Sequence, residues 1–185
     1  MGEPAGHLVL VGLMGSGKST VGRRLAARLD RPFVDADEAV ADRAGMPVPE
    51  LFARRGEAAF RALEAATLAD VLDDPRPLVV ATGGGAVLDA GTRSRLAAVD
   101  TVWLRAAPAT LARRVGAGGG RPLLAGGDVV AELERLAEAR AARYGEVART
   151  VVDVDDLGID EVVARIAAAV GADGDAATRS SEARS

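Results

Sequence analysis

Gly12-Leu13-Met14-Gly15-Ser16-Gly17-Lys18-Ser19-Thr20 decides how this 185-residue chain folds. An apolar run at residues 7–11 leads into it, and an amphipathic stretch with Val21, Leu25 and Leu29 on one face leads out. A glycine-rich turn set between a buried strand and a helix is a Walker A loop. Its glycines let successive backbone N–H groups turn inward around phosphates, and the helix behind aims its positive end at them. Gly12, Gly15, Ser16, Gly17, Lys18, Ser19 and Thr20 are therefore the expected nucleotide-binding residues. Lys18 would reach the β- and γ-phosphates, and Ser19 would offer its hydroxyl to Mg²⁺. The plain alternative is a chance glycine-rich turn, against which the flanking strand and helix both argue. Lys18 is also the only lysine in the chain. An ammonium is a compact point charge that fits between phosphate oxygens where a planar guanidinium is too wide.

Outward from the loop, short apolar runs alternate with stretches of helical period. Residues 7–11, 33–36, 78–81, 99–104 and 150–154 read as buried strands. Ile159, Val162, Val163, Ile166 and Val170 mark one apolar helical face near the end. Alternation of this kind predicts an α/β fold, a five-stranded parallel sheet covered by helices on both sides. Two segments break the pattern. Residues 116–127 read GAGGGRPLLAGG, too glycine-rich for a core element, and are expected to form a mobile lid. Residues 172–185 lack periodicity and anything to bury, so a disordered tail is expected there, leaving residues 1–171 as one domain.

Composition narrows the function classes. Apolar residues make up 49% and charged residues 27%, a globular balance. A net charge of −4 argues against a sequence-independent grip on nucleic acid, which needs a basic surface. The absence of cysteine removes disulfides and thiolate chemistry. No apolar stretch approaches the roughly 20 residues of a membrane helix, and the amino terminus does not read as a secretion signal. A cytoplasmic monomer acting on small molecules is the expectation.

A phosphate cradle alone does not separate kinases from other nucleotide-binding proteins, so the remaining residues must. Asp35 and Asp37 sit at the end of the second strand run, with Ala36 between them. One carboxylate is expected to face Mg²⁺ or its waters and the other an acceptor hydroxyl, although an Asp at such a junction commonly just caps the next helix. Arg61 and Glu64 are three apart on a helical stretch and, taken alone, read as a surface ion pair. The third strand runs into Gly83, Gly84 and Gly85, which remove side chains and bring backbone N–H groups near a ligand. Arg121 lies in the lid, where a guanidinium could meet a transferring phosphoryl group. Arg140 shares a helical face with Leu133, Leu136 and Tyr144, and an arginine on an apolar side usually has an anion to meet, with core snorkelling as the alternative. His7, the single histidine, is expected to be structural, and Trp103 to belong to the core.

With these residues in order, the chain resembles the shikimate kinases from about residue 8 to residue 170. The resemblance rests on GLMGSGKST, Asp35-Ala36-Asp37, Arg61-x-x-Glu64, the strand running into Gly83-Gly84-Gly85, the lid Arg121-Pro122-Leu123-Leu124 and Arg140. It implies a three-layer fold like that of nucleoside monophosphate kinases and transfer from MgATP to the 3-hydroxyl of shikimate. It further implies that Lys18 and Ser19 serve phosphate and Mg²⁺, that Asp35 supports Mg²⁺ through water, and that Asp37 binds the acceptor hydroxyl. Arg61, Arg140 and the Gly83, Gly84 and Gly85 backbone would hold the substrate, Glu64 would orient its neighbours, Arg121 would close over the phosphates and Arg114 would lie against adenine. Asp153-Val154-Asp155-Asp156 departs from this picture, being more acidic than an adenine pocket leads one to expect. A gluconate kinase and a nucleotide-dependent binding protein without kinase activity are the rival readings.

Overall fold

The computed structural model describes residues 6–116 and 128–182. Five strands, β1 (Leu8–Val11), β2 (Phe33–Asp35), β3 (Val79–Ala81), β4 (Asp100–Arg105) and β5 (Thr150–Asp153), form one sheet in the order β2-β3-β1-β4-β5. Every pairing is parallel, with Leu8 in register with Val79 on one side and Asp100 on the other. The helices are α1 (Lys18–Leu29), α2 (Ala36–Ala44), α3 (Val48–Leu72), α4 (Ala90–Ala97), α5 (Pro108–Gly116), α6 (Val129–Val147) and α7 (Ile159–Glu182). The fold is the expected three-layer α/β arrangement.

Side-chain alternation along the strands explains the layers. Leu8 and Leu10 face α1 and α7 together with Val79, Val102, Leu104 and Val152, while Val9 and Val11 face the opposite cluster with Val80, Leu68, Leu96, Leu133 and Leu136. A sheet buried on both faces needs apolar residues at every position, which is why its strands read as continuous runs. A third, smaller cluster of Val40, Leu51 and Phe60 lies beyond these two, joining α2 to α3. Gly56 breaks α3 with φ 77°, a value that glycine adopts without strain, and so turns the segment carrying Arg61.

Two sequence expectations change in detail. The strand run expected over residues 33–36 ends at Asp35, because Ala36 and Asp37 already belong to the first turn of α2. The backbone of α7 continues through Glu182, into the stretch where a disordered tail is expected. Once the packed turns from Ile159 have nucleated the helix, extension meets no proline. The lid expected at residues 116–127, with Arg121, lies outside the described residues except for Gly116, the last residue of α5.

His7 has the structural place expected of it. Leu78 N–H donates to His7 Nδ1 at 3.2 Å, which leaves Nε2 as the protonated nitrogen, 3.1 Å from Leu72 O. Trp103 is half-buried and packs against the core on the α6 side.

Candidate active site

The loop after β1 is built by close approach. Gly12, Gly15 and Gly17 have φ of 144°, 80° and 92°. A Cβ on Gly12 would lie 2.6 Å from Leu104 O, and one on Gly15 would lie 2.9 Å from Val115 Cγ2, so neither position admits a side chain. Gly17 caps α1, whose first turn holds no acidic residue, and the positive end of the helix points into the loop. Lys18 Nζ donates to Gly12 O at 2.8 Å and to Leu13 O at 2.9 Å, which holds the ammonium against the loop. Ser16 Oγ is buried in the loop with no hydrogen-bond partner among the described residues. A cleft of about 570 Å³ opens there, lined by Lys18, Ser19, Thr20, Asp35, Asp37, Thr82 and Gly84 among others.

Asp35 serves two neighbours at once. Ser19 Oγ donates to its Oδ2 at 2.6 Å, while its Oδ1 accepts from Asp37 N at 3.0 Å and caps α2. The capping alternative for this residue therefore holds alongside its place beside Ser19. A hydroxyl and a carboxylate, both hard oxygen donors, suit Mg²⁺, which keeps several waters and takes only one or two protein ligands beside substrate phosphates. No group of three or more His, Cys, Asp or Glu side chains that could hold a metal ion occurs among the described residues.

The residues expected to meet the acceptor come together around the three glycines. Glu64 is only 3% exposed and takes a 2.6 Å bond from Arg61 Nη1, so the pair is not the surface bridge that its spacing alone suggests. Burial pushes the Glu64 carboxyl above its usual range, against the opposing pull of Arg61; Asp37 and Arg140 also act on it electrostatically. Arg140, 6% exposed, donates from Nη1 to Gly84 O at 2.9 Å. Two of the glycines clear different functional groups. A Cβ on Gly83 would stand 2.4 Å from Glu64 Oε1 and 2.7 Å from Asp37 Oδ1, and one on Gly85 would stand 2.3 Å from Arg61 Nη1. A second cavity, about 360 Å³, adjoins Arg61, Glu64 and Gly85.

Arg114 also lines that cleft, as do Leu157, Gly158 and Ile159, and its Nη2 donates to Val154 O at 2.9 Å. The acidic run beside it has structural partners. Asp153 takes bonds from Arg105, which hold its carboxyl below the usual range. Asp155 accepts from Ala107 N at 3.0 and 3.1 Å, just ahead of α5. Sequence reasoning missed Thr82, residues 157–159 and the hydroxyl of Tyr144. Only Tyr144 carried a signal, its place on the face of Arg140.

A Walker A loop at the carboxyl end of a parallel sheet, with Asp37, Arg61, Glu64 and Arg140 clustered beside it, defines an ATP-dependent phosphotransferase of the P-loop kinase class. The family model described as shikimate kinase matches residues 14–171. The chain belongs to the shikimate kinase family. It is 49% identical over 151 residues to the shikimate kinase of Paramagnetospirillum magneticum, covering 81% of this chain and 77% of that one. The structure of the Acinetobacter baumannii shikimate kinase in complex with shikimate superposes with a TM-score of 0.88 at 31% identity, covering 92% of this chain and 96% of that one. A gluconokinase from Sinorhizobium meliloti, at a TM-score of 0.69 and 23% identity over 97% of this chain and 99% of that one, shares the fold alone.

Proposed function

We propose that this chain transfers the γ-phosphoryl group of MgATP to the 3-hydroxyl of shikimate, with the residues gathered around Gly83–Gly85 as its acceptor site. The observation that carries this reading is the cluster itself: Arg61, Arg140 and Asp37 all within electrostatic reach of the buried Glu64, beside the phosphate loop. Shikimate carries a carboxylate and hydroxyls, which match Arg61 and Arg140 on one side and Asp37 on the other. A neutral sugar or a nucleobase would offer no carboxylate to Arg61 and Arg140.

Phosphoryl transfer asks little covalent chemistry of the protein, so catalysis rests on positioning and charge. Lys18 neutralises the β- and γ-phosphates, with backbone N–H groups from Gly12 to Thr20 around them. Asp37 binds the acceptor hydroxyl and takes its proton as the oxygen attacks in line. Arg61 and Arg140 hold the acceptor carboxylate, and Glu64 fixes Arg61 from behind. Ser19, directly, and Asp35, through water, would hold Mg²⁺, which when bound neutralises charge on the transferring phosphate. Arg114 is assigned to the adenine side, and Arg121 to the transferring phosphoryl group on the ground of the sequence resemblance. The described surface carries only three large exposed apolar side chains, Leu88, Val130 and Val151, which supports a monomer. No described helix is long and apolar enough to cross a membrane.

Asp37→Asn tests the acceptor assignment. Turnover should fall about 10²- to 10⁴-fold, with MgATP affinity within twofold of the parent chain. Normal turnover in that variant would remove Asp37 from the acceptor site.

A further inference from the structure

Tyr144 lies one turn beyond Arg140 on the same face of α6 and is 1% exposed. Its hydroxyl donates to Gly84 O at 2.6 Å, the same oxygen that Arg140 Nη1 reaches at 2.9 Å. A carbonyl oxygen has two lone pairs, and here each has its donor. The ring stacks on Trp103 of β4, with centroids 5.4 Å apart and planes 29° apart, so the central sheet helps set where the hydroxyl sits. Gly84 itself lies between the phosphate loop and α6: a Cβ on it would be 3.5 Å from Gly12 O and from Met14 N, and 3.7 Å from Arg140 Nη1. Burial pushes the Tyr144 phenol up to about 12, so it stays a donor at any pH the fold would meet. A phenylalanine would fill the same space without a polar atom to desolvate. The hydroxyl is therefore placed for Gly84 O.

We propose that Tyr144 is a positioning residue for acceptor binding: it holds the Gly84 carbonyl at the junction of phosphate loop and glycine loop, and so keeps the Arg140 guanidinium aimed at the acceptor carboxylate. Without the hydroxyl, Gly84 O has Arg140 as its remaining side-chain donor, and guanidinium and loop drift together. This rests on the reading of Arg140 as an acceptor contact.

The test uses Tyr144→Phe, Arg140→Ala and the double variant of the full chain. Steady-state kinetics are measured alongside shikimate titrations followed through Trp103, the only tryptophan in the chain and the ring on which Tyr144 stacks. Tyr144→Phe should raise the shikimate KM roughly 3- to 10-fold, the loss of one net hydrogen bond, with the MgATP KM within twofold. In the Arg140→Ala background it should add nothing to the loss of shikimate affinity. A shikimate KM unchanged in Tyr144→Phe, with Arg140→Ala still weakening binding, overturns the role of Tyr144 alone, and so do losses that simply add in the double variant. Unchanged shikimate affinity in Arg140→Ala would instead overturn the acceptor reading of Arg140, and the proposal with it.

Discussion

Gly85→Ala turns the geometry of the glycine loop into a number. Gly85 has φ −98° and ψ −2°, a conformation that alanine adopts freely, so any effect must come from the space around it. That space is taken: the new Cβ would meet Arg61 Nη1 at 2.3 Å, Cζ at 2.5 Å and Nη2 at 2.6 Å, all far inside van der Waals contact. The guanidinium is the end of a flexible side chain and the loop backbone is not, so Arg61 is what moves. A charge-assisted hydrogen bond to an acceptor carboxylate is worth about 1.5–3 kcal/mol. Its loss multiplies the shikimate KM roughly 10- to 150-fold at about 1.4 kcal/mol per tenfold. A coupled assay of ADP release, with shikimate and MgATP varied in turn, reads both constants. Gly145→Ala is the control, because nothing lies within 4 Å of a Cβ built there in the last turn of α6. That change should leave both constants alone and stabilise the helix by about 0.5–1 kcal/mol. A folded Gly85→Ala enzyme with an unchanged shikimate KM would refute the reasoning, as would an equal rise in the KM for MgATP.

Glu64 gives a pH signature. Burial raises its carboxyl above 4.5, so between that value and its folded value the native state holds more protons than the unfolded chain, and stability falls as pH rises. Glu64→Gln removes this dependence: urea unfolding of parent minus variant, compared from pH 4 to pH 8, should decline with pH, and a rise would mean that Arg61 outweighs burial. Asp155→Ala removes the carboxylate that Ala107 N–H donates to just ahead of α5 and should cost about 0.5–1.5 kcal/mol of stability. Because α5 also carries Arg114, that variant should raise the MgATP KM severalfold and leave that of shikimate alone, a split that steady-state kinetics would show or deny.

The sheet and the phosphate loop were legible in the sequence because their causes are local. Parallel strands buried on both faces read as unbroken apolar runs, and the loop glycines answer to positive φ and to contacts near them. The cluster proposed as the acceptor site could be assembled from the sequence as a set of residues but not as a set of contacts. Gly83 and Gly85 read as glycines that expose backbone to a ligand, whereas their Cβ positions are closed by Glu64, Asp37 and Arg61, which lie 19 to 46 positions earlier in the chain. Arg61 and Glu64 look like an exposed pair at their spacing; what buries Glu64 is the packing of α3 against the rest of the fold. The acidic run at Asp153, Asp155 and Asp156 seemed out of place because two of its partners, Arg105 and the N–H of Ala107, come from the end of β4 and the entry to α5. Tyr144 could be placed on the inward face of α6 by period alone, but the target of its hydroxyl is 60 residues away.

The central claim is that the cluster around Gly83–Gly85 selects shikimate as phosphoryl acceptor. The direct measurement is ADP release from MgATP with shikimate, gluconate, a nucleoside monophosphate or no acceptor. Turnover that requires shikimate, with the other three at background, is the predicted result. Comparable kcat/KM with gluconate or a nucleotide, or ATP binding without turnover on any acceptor, would contradict it.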